Sequence, residues 1–306
     1  MKIFKKLFYK CLFAINFLQK KRIKNQNIDN FADLVVLNPI SNSVTQPIPK
    51  IIWMYWEGKR PQLVDRCMQR IQEMHSDYQV HILDPENVKS FCSFDFQKAE
   101  IQAATPQQRA DLIRFNLIYQ YGGIWLDASV IVYEKLDWIA DLVQQTHTQG
   151  FAYYRSKNTT IKEYPVIENW LLASVAQNQF YQRWFDELLF AIEMGPSQYI
   201  AQIKQLPDSE KYTQRIGRLE YLVAYVACQK VMREYPVSMV FINCDKNAFF
   251  YQVTHQWVKE KVLIDMAIHI APDEKPKLIK LAGKERVILD KYYSKSKYFS
   301  DSLLDI

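Results

Sequence analysis

The sequence predicts an α/β fold: a sheet containing parallel strands, flanked by helices, with helical additions in the C-terminal half. Three observations point there. Strand-like apolar runs at residues 48–56 and 78–83 bracket an amphipathic helical stretch at 64–74, and neighbouring parallel strands need such a crossover. A helical pattern at 110–121 then runs into a Gly-Gly pair and a short buried strand at 124–126. Finally, 306 residues with 49% hydrophobic and 24% charged side chains are enough for a sizeable core and are not the composition of a disordered chain.

Composition also removes several classes of function. Only 7 glycines, with no GxGxxG or Walker pattern, argue against a Gly-rich phosphate cradle. Cys11, Cys67, Cys92, Cys228 and Cys244 are scattered and contain no CxxC, which fits a reducing compartment and not a disulfide framework or zinc site. The net charge of +6 is modest and concentrated at the two ends, with no RNA-binding motif, so nucleic acid is not the expected partner.

Taken in order, the chain opens with Lys2, Lys5, Lys6, Lys10, Lys20, Lys21, Arg22 and Lys24, and no acid among residues 1–24. Ile3, Phe4, Leu7, Phe8, Cys11, Leu12, Ile15 and Leu18 recur at helical spacing, giving a basic amphipathic helix. The apolar run from Cys11 to Leu18 is shorter than the about 20 residues a membrane span needs. Gln19-Lys20-Lys21-Arg22 follows it, where a signal peptide would carry small residues. Residues 1–24 therefore read as an interfacial helix drawn to anionic lipid, each basic residue contributing about 1 kcal/mol. The competing reading is a helix that packs on the body. Polar residues 25–46 read as a linker, and residues 47–306 as the domain itself.

The domain opens with IPKIIWMYWEG at 48–58, a first buried strand. Trp56 stands at its end, where an aromatic face can stack on a nucleobase, while Trp53 suits the core. Thr105-Pro106 offers an N-cap followed by Pro at the first helical position. Asp111 and Arg114 are three apart on the helix that follows and share a face. A carboxylate near a helix start can accept sugar hydroxyls and an arginine can clamp an anion, although a surface ion pair is the plainer reading. Gly122 and Gly123 stop the helix because glycine enters left-handed backbone at no steric cost. Asp127 then closes the strand Ile124-Trp125-Leu126, at the kind of strand end where ligands collect in open α/β sheets.

Beyond it, residues 129–132 read as extended, 151–154 as a strand and 157–164 as a polar loop. Residues 167–175 and 180–193 read as helices, 218–233 as another, and 240–243 as a strand. Residues 266–270 read as a strand presenting His269, more often a satisfied core histidine than a metal ligand. Residues 275–297 are basic, with Lys277 and Lys280 beside the apolar Leu278, Ile279 and Leu281.

Three blocks carry a resemblance: residues 48–58, ADLIRF at 110–115 and YGGIWLDAS at 121–129. Together they resemble bacterial capsular polysaccharide synthesis proteins, among the family-32-type glycosyltransferases with a sugar-binding DXD region. That family is related to yeast mannosyltransferases and clostridial glucosylating toxins. The resemblance implies a GT-A-type nucleotide-binding sheet, a UDP- or GDP-sugar donor, Mn²⁺ or Mg²⁺, and retention of anomeric configuration. It also implies roles: Trp56 under the base, Asp111 and Arg114 at the donor sugar, Asp127 at the metal and ribose-diphosphate. One departure matters, because a full DXD would have a second acid where this chain has Ser129. A single carboxylate and a hydroxyl make a thin oxygen shell, so further metal ligands would come from the diphosphate, from water or from His269. Alternatively, Lys and Arg of the basic C-terminal region would take over part of the ion's work.

The expectation is thus a cytoplasmic transferase peripheral to the inner face of the cell membrane, passing a sugar to a glycan or lipid-linked glycan. One rival is a hydrolase with paired carboxylates, for which no second acid stands near Asp127 in sequence. The other is a non-catalytic carbohydrate- or membrane-binding protein with an altered metal site, for which Ser129 speaks.

Overall fold

The computed structural model describes residues 2–23, 28–40 and 46–306. Among the described residues, nine strands form two sheets: β1 (Val35–Leu37), β2 (Ile51–Tyr55), β3 (Gln79–Leu83), β4 (Gly123–Leu126), β5 (Val130–Val132), β6 (Gly150–Tyr154), β7 (Ile167–Ser174), β8 (Met239–Asn243) and β9 (Leu278–Lys280). Seven make the central sheet in the order β1-β8-β6-β7-β4-β2-β3, and β5 pairs with β9 separately. The expected β-α-β unit is present: β2 lies parallel to both β3 and β4, and helix Gln62–Met74 makes the β2–β3 crossover.

The central helix runs Pro106–Tyr121 behind a Thr105 capping box, in which Thr105 accepts from the Gln108 backbone and Gln108 accepts in return. It is buried nearly all round, including Asp111, Arg114 and Asn116, which makes it an interior helix and not a surface one. One face meets helix Gln179–Met194, where Phe115 stacks on Trp184 with ring centroids 3.9 Å apart. Gly122 and Gly123 both take positive φ (65° and 86°), and a Cβ on either would come within 2.6 Å of backbone atoms of Ala176 or Ile51. The helix therefore turns into β4 in a space that admits only glycine.

Two expected elements are of the other type. Residues 167–175 are not a helix: Ile167–Ser174 is β7, antiparallel to β4 on one side and β6 on the other. A strand buried on both faces reads as a continuous apolar run, and such a run does not distinguish strand from helix. Conversely, residues 266–268 end the helix Lys259–Ile268. The 25–46 linker is partly structured, since β1 within it closes the sheet against β8; residues 25–27 and 41–45 lie outside the described residues.

The N-terminal helix Lys2–Gln19 packs on helix Lys259–Ile268. Leu12 and Phe13 join the apolar cluster there, and Asn16 Oδ1 lies 3.1 Å from His269 Nε2. The opposite face leaves Leu7, Phe8, Ile15 and Leu18 exposed. Among the described residues, no helix is long and apolar enough to cross a membrane.

Candidate functional site

Because β2 and β4 are parallel neighbours, with Trp53 opposite Trp125, the residues that follow them emerge on the same sheet edge. Trp56 and Asp127 are those residues. Asp127, Ser129, Trp56 and Arg114 line a cleft of about 220 Å³, and Trp56 also borders a second cleft of about 350 Å³ formed with Gly58, Arg60 and Asp84. Trp53 is core: its indole N–H donates to the Gly122 carbonyl and its ring stacks on His81. Trp56 is half-buried, with the Arg286 guanidinium 4.8 Å from its ring centroid.

Asp127 is held by two side-chain donors and one further cation among the described residues. Its Oδ1 accepts from the Trp125 indole at 3.1 Å and lies 3.3 Å from an Arg114 nitrogen, while Oδ2 accepts from Lys280 Nζ at 2.6 Å. Burial pushes this carboxyl up, but Lys280 and Arg114 outweigh burial and hold it below the usual carboxylate range. Lys280 is the last residue of β9 and pairs across to Val130 of β5. That register delivers its ammonium to Asp127 and, at 3.1 Å, to the Ser129 hydroxyl. Burial pulls the Lys280 ammonium below its ordinary value, with Asp127 acting in the opposite direction.

Asp111 and Arg114 are not a solvated surface pair. Both are buried, 3.3 Å apart, with Asn169 donating to Asp111 at 2.9 Å and its carbonyl accepting from Arg114. Burial pushes the Asp111 carboxyl up to about 6, with nearby Asp127 adding to the rise and Arg114 and Asn169 opposing it. Arg114 also lies 4.9 Å from the Trp125 ring centroid. It thus joins both acids and packs on the strand that presents one of them. Alongside, Arg109 makes a two-pronged pair with Glu57 at 2.5 and 3.2 Å, fixing the turn after Trp56.

Of the expected site residues, Trp56, Asp111, Arg114, Asp127 and Ser129 belong to one cluster, and His269 does not. His269 caps the helix Lys259–Ile268, with Nδ1 at 2.9 Å from Asp265 and Nε2 facing Asn16. Asp265 also meets His255 at 2.5 Å. With both ring nitrogens engaged, His269 ties the N-terminal helix to the body and is not a ligand beside Asp127.

Nor does the cluster fit Mn²⁺ or Mg²⁺ as a resident ion. Such ions take oxygen donors, and Mg²⁺ is commonly held by one or two carboxylates together with waters and substrate phosphates, so what matters is whether Asp127 is open to an ion. Here both carboxylate oxygens of Asp127 already face cations, Arg114 at Oδ1 and Lys280 at Oδ2, and the Ser129 hydroxyl is engaged by Lys280.

Sequence reasoning passed over Lys280, Arg286, Asn169 and Glu168 as site residues. Lys280 carried a readable signal, a charge inside the apolar run Leu278–Leu281, although Lys277 nearby makes a single basic residue less conspicuous there than Asp127 is after Leu126. Glu168 had that signal too, inside an apolar run, but the run was read as a helix. Glu168 sits at the start of β7, at the edge where β4 ends. It is buried and accepts from the Tyr225 hydroxyl at 3.0 Å. Burial pushes its carboxyl up against the opposing pull of Arg155.

A family model described as Capsular polysaccharide synthesis protein matches residues 4–192. Inositol phosphoceramide mannosyltransferase 3 of Schizosaccharomyces pombe is 28% identical over 109 residues, 34% of this chain and 31% of that protein. O-glycosyltransferase braB of Annulohypoxylon truncatum is 26% identical over 155 residues, 45% of this chain and 36% of that one. The chain spans about a third of the length of these curated relatives. Among solved structures, the PaToxG glycosyltransferase aligns with a TM-score of 0.36 at 12% identity, over 74% of this chain and 84% of its own. A glycosyltransferase involved in glycosylation of the major capsid of PBCV-1 aligns with a TM-score of 0.39 at 10% identity, over 80% and 100%.

Proposed function

Because the chain belongs to the capsular polysaccharide synthesis protein family, we propose that it is a glycosyltransferase. It moves a sugar from a UDP- or GDP-linked donor to a hydroxyl of a glycan or lipid-linked glycan in surface polysaccharide synthesis. The observation that carries this reading is the convergence at one sheet edge of an aromatic face, a buried carboxylate–guanidinium pair and a cluster of cations. Trp56 provides the face for the base, the Asp111–Arg114 pair provides polar groups for the donor sugar's hydroxyls, and Arg286 on the cleft wall, with Lys280 behind Asp127 and Ser129, provides positive charge for a diphosphate.

The work of such a site is electrostatic and positional. Charge builds on the departing nucleoside diphosphate, and fixed donors aimed at that charge lower the barrier without reorganising. Asp127 is held ionised by Lys280 and Arg114, so it orients those two cations and does not act as a proton shuttle. Retention of configuration and hexosyl specificity belong to this proposal, carried over from the family resemblance.

The proposed location is the inner face of the cell membrane. In its support, the N-terminal helix buries one apolar stripe against the body and leaves a second, with Leu7, Ile15 and Leu18, exposed beside a basic segment containing Lys20, Lys21 and Arg22.

The deciding experiment measures binding of UDP, GDP and their sugars by calorimetry and thermal shift, with nucleotide release as the readout of turnover, for the native chain and Asp127→Ala. Ligand binding to the folded state raises apparent stability, so binders reveal the base and sugar together. If no nucleotide sugar binds, or if Asp127→Ala changes neither binding nor turnover, the transferase reading is lost. Release of free sugar from a neutral glycan, with no nucleotide needed, would instead favour a hydrolase.

A further inference from the structure

We infer that the donor's diphosphate is held, and its charge partly offset, by Arg286 and the Asp127-paired Lys280 in place of a divalent metal ion, so that this chain's sugar transfer is metal-independent. The inference rests on the donor-site reading above and deepens it.

The geometry carries it in three steps. First, the place a metal would take at Asp127 and Ser129 is taken by an ammonium: Lys280 Nζ lies 2.6 Å from Asp127 Oδ2 and 3.1 Å from Ser129 Oγ. An ammonium carries three N–H donors, and these contacts use two. A second acid at position 129 would favour a divalent ion, whereas a neutral hydroxyl beside a lysine does not.

Second, this arrangement is built into the fold. Lys280 is paired with Val130 in the two-stranded sheet, Leu281 N–H donates to the Ser129 carbonyl at 3.0 Å, and Lys280 N–H donates to Ala248 at 3.0 Å. On its other side, Gln252 donates to the Lys280 carbonyl at 2.6 Å. The ammonium is therefore positioned by backbone on both sides and is nearly buried, with 11% of its side chain exposed. A divalent ion bonded to Asp127 would stand beside both this ammonium and the Arg114 guanidinium, and like charges at that range repel strongly in a buried site.

Third, the cleft has positive charge to spare. Lys280 answers Asp127, Arg114 answers Asp111, and Arg109 answers Glu57. Arg286 lines the same cleft, its guanidinium over the Trp56 ring, and has no ion-pair partner among the described residues. Its planar fork suits two phosphate oxygens at once.

In the reaction, the bond from the anomeric carbon to the diphosphate oxygen breaks and its electron pair stays on the diphosphate. The acceptor oxygen bonds to that carbon and its proton passes to the departing diphosphate. Lys280 and Arg286 meet the charge that develops there, and no further reactant is needed.

The test uses the full chain with UDP and GDP, and with whichever nucleotide sugar binds, in EDTA and in Mn²⁺ or Mg²⁺. The inference expects affinity and turnover to differ less than about threefold between these conditions, and the paramagnetic signal of Mn²⁺ to stay that of the free ion when the chain is added. Arg286→Ala and Lys280→Met should each weaken nucleotide binding at least about tenfold, the loss of one charge-assisted contact, with circular dichroism reporting whether each variant folds. Ser129→Asp combined with Lys280→Met should bind Mn²⁺ and need it. Binding or turnover that appears only with metal overturns this inference and leaves the transferase reading standing. Full nucleotide affinity in folded Lys280→Met and Arg286→Ala also overturns it. Absence of nucleotide binding under every condition overturns both.

Discussion

Asp127→Ala tests whether the ion pair at the centre of the site is real. Asp127 is the one carboxylate within salt-bridge distance of the Lys280 ammonium among the described residues, and the lysine side chain is 11% exposed. Removing one partner of a buried pair leaves an uncompensated charge at a cost of about 3–5 kcal/mol. Asp127 is itself 26% exposed and Ser129 keeps one contact to Lys280, so the lower end, about 3 kcal/mol, is expected. Arg114 retains Asp111 and the Asn169 carbonyl and adds little. At roughly 2–3 °C per kcal/mol for a chain of this size, the midpoint should fall by about 6–9 °C. The double variant Asp127→Ala/Lys280→Met removes both charges and should recover at least about 2 kcal/mol, because exchanging a buried pair for apolar groups is often nearly neutral. Urea unfolding of the native chain, both single variants and the double variant gives the coupling. If Asp127→Ala unfolds within about 0.5 kcal/mol of the native chain, or the double variant is no better than the sum of the singles, the pair is not working as described.

Three other outcomes are expected. With its carboxyl raised to about 6, Asp111 is ionised above that pH and protonated below it. Donor-sugar affinity should therefore fall as pH drops through about 6, and Asp111→Asn should remove that pH dependence in a titration of binding from pH 5 to 8. The sign for stability is the reverse: a raised folded-state value makes a contribution that is present below the ordinary 3.8 and lost as pH rises through about 6. Trp56→Ala should weaken nucleotide binding by about 1–3 kcal/mol, the worth of one base–aromatic contact, with the fold unchanged by circular dichroism. The triple variant Leu7→Asp/Ile15→Asp/Leu18→Asp changes only the exposed stripe of the N-terminal helix. It should lose co-sedimentation with anionic vesicles while unfolding like the native chain; unchanged sedimentation would remove the membrane role of that stripe.

Much of the site's local architecture is written in short-range sequence signals. The Thr105-Pro106 cap, the Gly122-Gly123 stop and the apolar strand ending on Asp127 each involve residues within a few positions of one another, where backbone sterics and capping chemistry act without the rest of the chain. The sequence alone therefore determined the central helix, its turn, the two parallel strands and the candidacy of Trp56, Asp111, Arg114 and Asp127. It did not determine β7, because a strand buried on both faces has no alternation to read. Nor could it choose between Lys280 and His269 as the group that answers Asp127. Those two residues are 11 positions apart in sequence, and both lie more than 140 positions from the acid. Only the pairing of β9 with β5 brings Lys280 to Asp127 and Ser129, while the helix Lys259–Ile268 carries His269 to Asp265 and Asn16. The charge on Asp127 is legible from the sequence. What balances it depends on contacts between distant segments, which only the tertiary structure decides.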